Sequence, residues 1–515
     1  METKLDRRRL LKTGTGLFGL ALAPARAAII APDRARPLMP HGVMSGDLLS
    51  DRAVIWGAAD RPARMVVEWS REPGFAKAQR REGPLATPHS GLTAKLDLTG
   101  LPPGADIHYR VAFHHPDDPK AISDWTSGHL RLPGGAARPI RFTFSGDEAG
   151  QGFGINPDLG GYRIYDAMRR TQPDFFIHQG DQIYADQPLT DAVALPGGGT
   201  WRNIVTPAKA QVATTLESLR GAFAYNLMDT NKRRFLSDVP MLAQWDDHEV
   251  SNNWYPGKIL PDGMPVDRIA RFSRQAMAEF NPIRLAADAP GVQRAFSWGP
   301  LLDVFILDAR SFKGPNPDAG AAAPGAGMFG HRQIAWLKDA LARSKAVWKL
   351  IASDMPLSLT VKDHLKGEPP GSIEGLANGR PGAPGGREAE LADLLSFMRA
   401  RAIANTVWIS ADVHHASAIH YHPDRAAFGD FLPFWEIVAG PINAGNGSME
   451  DNFLDPTFGP QIVHATVPTA LADKSPRAGL QFFGMGEIDP ASRALTLSIN
   501  DLDGRQLWKT SLHPA

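Results

Sequence analysis

The chain of 515 residues contains no cysteine. Disulfides, iron–sulfur clusters, thiolate-bound zinc and a cysteine nucleophile are thereby excluded together. Net charge is missing as well, since 55 Lys and Arg oppose 55 Asp and Glu, whereas a nucleic-acid-binding domain carries a strongly basic footprint. There is no internal repeat of fixed period and no block of like charge. Hydrophobic residues at 43 % and charged residues at 21 % sit near globular averages, which rules out a largely disordered or collagen-like chain. Glycine and proline are in excess, at 50 and 43 residues, about 18 % of the chain against a background of about 12 %, so long loops are expected. The length suggests about two to four domains and ample material for a buried core.

The zero balance belongs to the whole precursor. Arg7-Arg8-Arg9-Leu10-Leu11-Lys12 precedes an uncharged, mildly apolar stretch from Thr13 to Ala25 and the small-x-small sequence Ala25-Arg26-Ala27. Residues 1–27 thus resemble a twin-arginine signal peptide, read by the twin-arginine export machinery. The apolar run is too short and glycine-rich to span a bilayer, so no transmembrane anchor is expected. Those residues hold six Lys/Arg and two Asp/Glu; without them 49 basic residues oppose 53 acidic ones, a balance of −4. The expectation is a mildly acidic periplasmic or secreted protein, by a route that carries folded chains with cofactors in place.

Residues 38–133 read as a small all-β domain of the immunoglobulin/fibronectin sandwich type. Ala53-Val54-Ile55-Trp56 and Met65-Val66-Val67-Glu68-Trp69 are β-branched or aromatic runs between turn clusters. Tyr109 follows the turn Leu98–Gly104 at the start of a strand, as in a tyrosine corner. From 138 to 515 strands alternate with helical stretches. Ile140, Phe142 and Phe144 alternate with polar residues and stop at Ser145-Gly146-Asp147; Phe175-Phe176-Ile177 ends at Gly180-Asp181. Pro240–Leu242 ends at Asp246-Asp247-His248, Val304–Leu307 at Asp308, Val347–Ala352 at Asp354, and Val407–Ile409 at Asp412. Helical segments are expected at 162–170, near 331–344 and near 387–402, and an antiparallel tail after 434. Strands alternating with helices predict layered sheets whose polar residues collect at the carboxyl ends. Two Gly/Pro-rich segments, Gly314–Gly330 and Lys366–Gly386, are too long for ordinary connectors and read as lids or inserts.

One strand-end aspartate is unremarkable, because Asp is a good turn and cap residue. A succession of them is not. Converging carboxylates repel and must be protonated or neutralised, most simply by cations. Tyr184 and Asp186 follow Asp181, Asn252 and Asn253 follow His248, and His414 follows Asp412. Oxygen ligands with a few imidazoles and no sulfur suit Ca, Mn, Fe or Zn. Asp412 and His414, separated by one residue on an extended segment, project to the same side. Neither Ser145 nor Ser417 has a His/Asp partner set independent of these residues, which argues against a serine hydrolase.

Gly180-Asp181-Gln182-Ile183-Tyr184, Trp245-Asp246-Asp247-His248-Glu249 with Asn252-Asn253-Trp254, Leu307-Asp308-Ala309-Arg310 and Ala411-Asp412-Val413-His414 together resemble the alkaline phosphatase D-like branch of the calcineurin-like metallophosphatases. His41–Asp47 and Trp56 resemble that family's amino-terminal domain. The resemblance implies a four-layer αββα metallophosphatase sandwich after the small β domain, and a phosphoric ester hydrolase active on monoesters and diesters with two or more metal ions, Ca and Fe foremost. It places Asp147, Asp181, Tyr184, Asp247, Asp412 and His414 as metal ligands, with Asp181 bridging, and His248 as the general acid. Arg310 would clamp phosphate oxygens or else pair with an acid. Asn253 would bind metal or phosphate or cap a turn, Asp308 would bind phosphate or support the ligands, and Asp246 and Asp354 would support the ligands. Where some relatives carry a cysteine, this chain reads Ser145-Gly146-Asp147-Glu148. Two further readings remain open at this point: a phospholipase D-like or phosphotriesterase activity, if the two Gly/Pro-rich segments, with Phe329 and Trp336 near them, form a wide apolar mouth, although Trp336 is expected to pack in the helix core; and a non-enzymatic envelope-binding protein with a structural metal site.

Overall fold

Side-chain alternation decides the layers. In the strand Ile140–Ser145 the residues Ile140, Phe142 and Phe144 enter one core, and in Phe175–Gln179 Phe175 and Ile177 join them while Phe176 enters another on the opposite face. Both faces of these strands are buried, one against the second sheet and the other under helices. The structure is a computed structural model that describes residues 36–134, 138–285, 291–316, 327–363 and 372–515. The expected signal over 1–27 lies outside the described residues, as do 317–326 and 366–371 of the two Gly/Pro-rich segments.

A nine-stranded sheet runs in the order Gln506–Leu512, Leu495–Asp501, Phe482–Ile488, Ile140–Ser145, Phe175–Gln179, Met241–Gln244, Val43–Leu49, Arg52–Ala58, Thr93–Thr99. A seven-stranded sheet runs Arg294–Ser297, Leu302–Ile306, Trp348–Ala352, Thr406–Ser410, Phe434–Val438, Ser417–Tyr421, Pro460–Ala465. The sheets pack face to face through Phe142, Phe144, Phe175 and Ile177 against Val304, Ile306, Leu350 and Ile409. Helices Arg163–Arg170, Leu216–Asn226, Thr230–Asp238 and Val266–Phe280 cover the outer face of the first sheet. Helices His331–Arg343 and Glu388–Ala400 cover the second. The result is helix, sheet, sheet, helix, preceded by a small β sandwich.

That sandwich is not separated from the large sheet by a gap in pairing. One of its layers is a second sheet built on Ala63–Ser70 and Asp106–His115. The facing layer is Val43–Leu49, Arg52–Ala58 and Thr93–Thr99, the end of the nine-stranded sheet itself. Gly46 stands opposite Met241 in parallel register, and a Cβ there would come within 2.7 Å of the Pro282 carbonyl, so only glycine permits the approach. Asp47 accepts the Arg284 amide at 2.6 Å and pairs with Arg294 at 3.2 Å, while Trp56 Nε1 donates to the Glu279 carbonyl at 2.7 Å. The His41–Asp47 motif therefore joins the two parts. Tyr109 is buried, but its hydroxyl makes no hydrogen bond to the preceding turn, so the expected tyrosine corner is not formed; the ring instead lies where a Cβ on Gly128 would stand.

Candidate active site

Loops at the carboxyl ends of the strands bring the acids together. Asp147 follows Ile140–Ser145, Asp181 and Tyr184 follow Phe175–Gln179, Asp246 and Asp247 follow Met241–Gln244, and Asp412 and His414 arrive from Thr406–Ser410 of the other sheet. Asp147, Asp181, Asp412 and His414 have φ of 66°, 51°, 71° and 57°, a left-handed conformation that costs side-chain-bearing residues on the order of 1–3 kcal/mol and concentrates at functional sites. Surrounding bonds hold it in place. The buried Glu249 carboxylate accepts the amides of Asp181, Gln182 and Asp246 at 3.2, 2.6 and 2.9 Å. Gly180, at φ 98°, makes the turn before Asp181, and a Cβ there would come within 2.7 Å of the Asp246 nitrogen.

Among the described residues, three groups of ligand-type atoms each lie within 4.8 Å of one another: Asp147, Asp181 and His414; Asp181, Asp247 and His248; and Asp246, Asp247 and Asp412. Asp181 belongs to the first two groups. Both oxygens of Asp147, Oδ1 of Asp247 and Oδ2 of Asp246 and Asp412 are buried without a hydrogen-bond donor. Burial first, and the neighbouring carboxylates next, push Asp147, Asp181 and Asp412 well above the usual carboxylate range. An unpaired buried carboxylate is costly, and such crowding is relieved by protons or by cations. Orphaned oxygens in this number, with one neutral imidazole and a phenol, fit hard or borderline metal ions.

His414 is set up as a ligand. Its Nδ1 sits 2.6 Å from the Gly445 carbonyl, which can only accept, so Nδ1 carries the proton and Nε2 presents its lone pair. Nε2 faces the Tyr184 hydroxyl at 2.8 Å and Asp147 Oδ1 at 3.6 Å. Burial lowers the His414 pKa to about 4 and keeps the ring neutral. His248 is arranged the other way. Its Nδ1 meets Asp186 Oδ1 at 2.7 Å, its ring stacks on Tyr184 at 4.1 Å, and Nε2 lies 4.0 Å from Asp247 Oδ1. Burial opposes its charge, but Asp186 and Asp247 outweigh burial and raise its pKa to about 9.

Asp181, Asp247, His248, Asn253, Asp412 and His414 line one cavity of about 490 Å³. Asn253 donates its backbone N–H to Asp247 Oδ2 and its side-chain amide to Asp363 Oδ1 at 2.9 Å. Asp147 and Tyr184 lie just beneath the wall, in contact with His414. Arg310 does not line the cavity. It is fully buried, its guanidinium bound to Asp246 and, at 2.7 and 3.3 Å, to Glu374 and Asp412, which is the acid-pairing alternative left open by the sequence. Asp308 is also away from the cavity, accepting the Val292 and Ser311 amides at 2.8 Å each. Phe329 is buried and Trp336 packs in the helix-side core, so neither forms a mouth. Glu249, Asp186 as the partner of His248, and Glu374 as a wall residue were not assigned from sequence; the adjacency of Asp186 and Glu249 to the motif residues was the available signal, whereas Glu374 had none.

Comparison with known proteins identifies the family. The family model described as PhoD-like phosphatase matches residues 144–499, and that of the PhoD-like phosphatase N-terminal domain matches 23–132. Alkaline phosphatase D of Bacillus subtilis (strain 168) is 26 % identical over 479 residues, covering 86 % of this chain and 77 % of that protein. A solved structure of PhoD superposes with a TM-score of 0.70 at 20 % identity, over 93 % of this chain and 94 % of that one. Purple acid phosphatase PPD1 from yellow lupin (Lupinus luteus) seeds superposes with a TM-score of 0.58 at 13 % identity, over 93 % of this chain and 74 % of that one. The two structural likenesses concern the fold.

Proposed function

The chain belongs to the PhoD-like phosphatase family and is a phosphoester hydrolase, and from that premise we propose that it cleaves phosphate monoesters and diesters at a dinuclear metal centre built around Asp181. The observation that carries this reading is the sharing of Asp181 between the Asp147/His414 group and the Asp247/His248 group. Asp147, Asp181, Tyr184 and His414 would hold one ion and Asp181, Asp247 and Asp412 the other, with Ca and Fe as the expected pair and Mn or Zn as alternatives. Two such ions supply the positive charge that activates a water and neutralises the phosphoryl oxygens.

The chain's own residues do the rest. In-line attack forms a bond from water oxygen to phosphorus and breaks the bond to the leaving oxygen. His248, its Nδ1 proton held by Asp186, has only Nε2 free to face the cavity, and passes the Nε2 proton to the leaving oxygen. Asn253, fixed by Asp363, presents its backbone to Asp247 and keeps that carboxylate turned inward. Arg310 acts indirectly, binding Asp246, Glu374 and Asp412 so that the ligand carboxylates keep their spacing. In the same reading, residues 1–27 are a twin-arginine signal, 38–133 the small β sandwich and 138–515 the catalytic domain of a periplasmic or secreted enzyme.

The test is metal analysis of the purified protein together with monoester, diester and triester hydrolysis before and after chelation. Asp181→Asn should lose the bound metal pair and activity together. Retained metal stoichiometry with retained activity would remove Asp181 as the shared ligand.

A further inference from the structure

Beyond the acids and His248, the cavity wall is amide-rich, with Gln151, Asn252, Asn446 and Asn452, and it carries two lysines, Lys362 and Lys474. Lys474 is shared with Asp451 at 3.5 Å, an acid on the same wall. Lys362 is not shared. Among the described residues its ammonium has no carboxylate partner, and it lies over the face of the exposed Phe453 ring, 5.4 Å from the centroid. Over an exposed ring such a contact is weak and leaves the charge open to an anion.

Its backbone is nevertheless fixed. Lys362 bridges to Ile373 in antiparallel pairing, and the Asp363 amide donates to the Ser372 carbonyl at 2.8 Å. Asp363 Oδ1 accepts the Asn253 side chain at 2.9 Å and Oδ2 that of Asn316 at 2.6 Å. Asn253 in turn donates its backbone N–H to Asp247. A chain of bonds therefore ties the lysine-bearing segment to the reaction centre, which fixes the backbone position from which the charge projects. The cavity, at about 490 Å³, lies within the range of sites that enclose whole small molecules and has room for much more than one phosphoryl group.

We propose that Lys362 is a specificity-determining residue of a subsite for a second negative group, so that the preferred substrates are phosphoesters whose organic part is itself anionic. The subsite rests on the phosphoester hydrolase reading above and names the substrate class for that same cavity. It adds no chemical step: the second anion is bound, and only the ester phosphorus reacts.

A matched pair of chromogenic diesters tests it, 4-nitrophenyl propyl phosphate and 4-nitrophenyl 3-sulfopropyl phosphate, which share a leaving group and differ by one non-hydrolysable charge. The wild-type enzyme should favour the sulfonate ester in kcat/KM, with a preference that fades as salt rises because the charges are partly solvated. That selectivity ratio should fall about fivefold in Lys362→Ala and about twentyfold in Lys362→Glu, and should survive in Lys362→Arg. Equal kcat/KM of the wild type on both esters, or equal losses on both in Lys362→Glu, would overturn the subsite. If the metal-loaded wild type hydrolyses neither ester, nor a simple monoester, the hydrolase reading itself fails, and the two failures are thereby told apart.

Discussion

Gly440→Ala is the most direct test of how the ligand shell is held. A Cβ built on Gly440 falls well inside the contact distance of Asp147 Oδ2, and about 1 Å of relief is needed to restore ordinary van der Waals separation. The backbone on either side cannot supply that relief cheaply. The Ala439 amide is bonded to the Ser410 carbonyl at 2.9 Å, and the Ile442 and Asn443 amides both donate to the Asp147 carbonyl at 3.1 Å. Asp147 must therefore give way at the carboxylate. Overpacking of this kind costs roughly 1–3 kcal/mol of stability, and a 1 Å misplacement of a group at the reaction centre costs about 100-fold in rate. The assay pairs kcat/KM on a chromogenic phosphoester with metal content and a denaturant midpoint. The expected result is a folded protein with reduced metal occupancy and activity down about 100-fold. Full activity with full metal content would refute the claim that Asp147 is positioned against Gly440.

Arg310→Met should destabilise the protein by about 3–5 kcal/mol, because it leaves the buried carboxylates of Asp246, Glu374 and Asp412 without their shared cation; an unchanged denaturation midpoint would show that these acids are compensated otherwise. Asp186→Asn should lower hydrolysis of an alkyl phosphate by about 100-fold while a nitrophenyl ester, whose leaving group departs without a proton, loses less than about tenfold. Equal losses on the two substrates would remove His248 as the proton donor. Glu388, whose carboxylate accepts the Asn378 and Gly385 amides at 3.0 and 3.1 Å, is raised by burial from 4.5 to about 8. The folded state then binds a proton that the unfolded chain has released, so this group makes stability fall as pH rises through that window. Glu388→Gln should flatten that fall between pH 5 and 9 in chemical denaturation, and an unaltered slope would assign the dependence elsewhere.

Much of the architecture was legible because periodicity is local. Ile140, Phe142 and Phe144 announce a strand with one face in the core, and the helices expected near 331–344 and 387–402 appear as His331–Arg343 and Glu388–Ala400. The clustering of acids at strand ends was legible for the same reason, since a strand and the loop after it are consecutive in sequence. The fusion of the small sandwich with the large sheet was not, because the pairing of Gly46 with Met241 joins segments far apart in the chain, and a glycine needed for close approach looks like any turn glycine. Arg310 shows a similar limit. Its position two residues past a strand-end aspartate was equally compatible with a phosphate clamp and with an ion pair, and only the arrival of Glu374 from a distant loop decides which acids surround it.

The sequence by itself determined the alternation of strands and helices, the exclusion of thiolate chemistry and the set of candidate oxygen and imidazole ligands, since residue type and spacing are properties of the chain alone. The tertiary structure decided which of those candidate ligands share an ion-sized space, which way His248 and His414 present their nitrogens, and that Lys362 has no carboxylate partner among the described residues of the same wall. Those outcomes depend on distances and partners between residues tens to hundreds of positions apart, which come into being only when the two sheets close on each other.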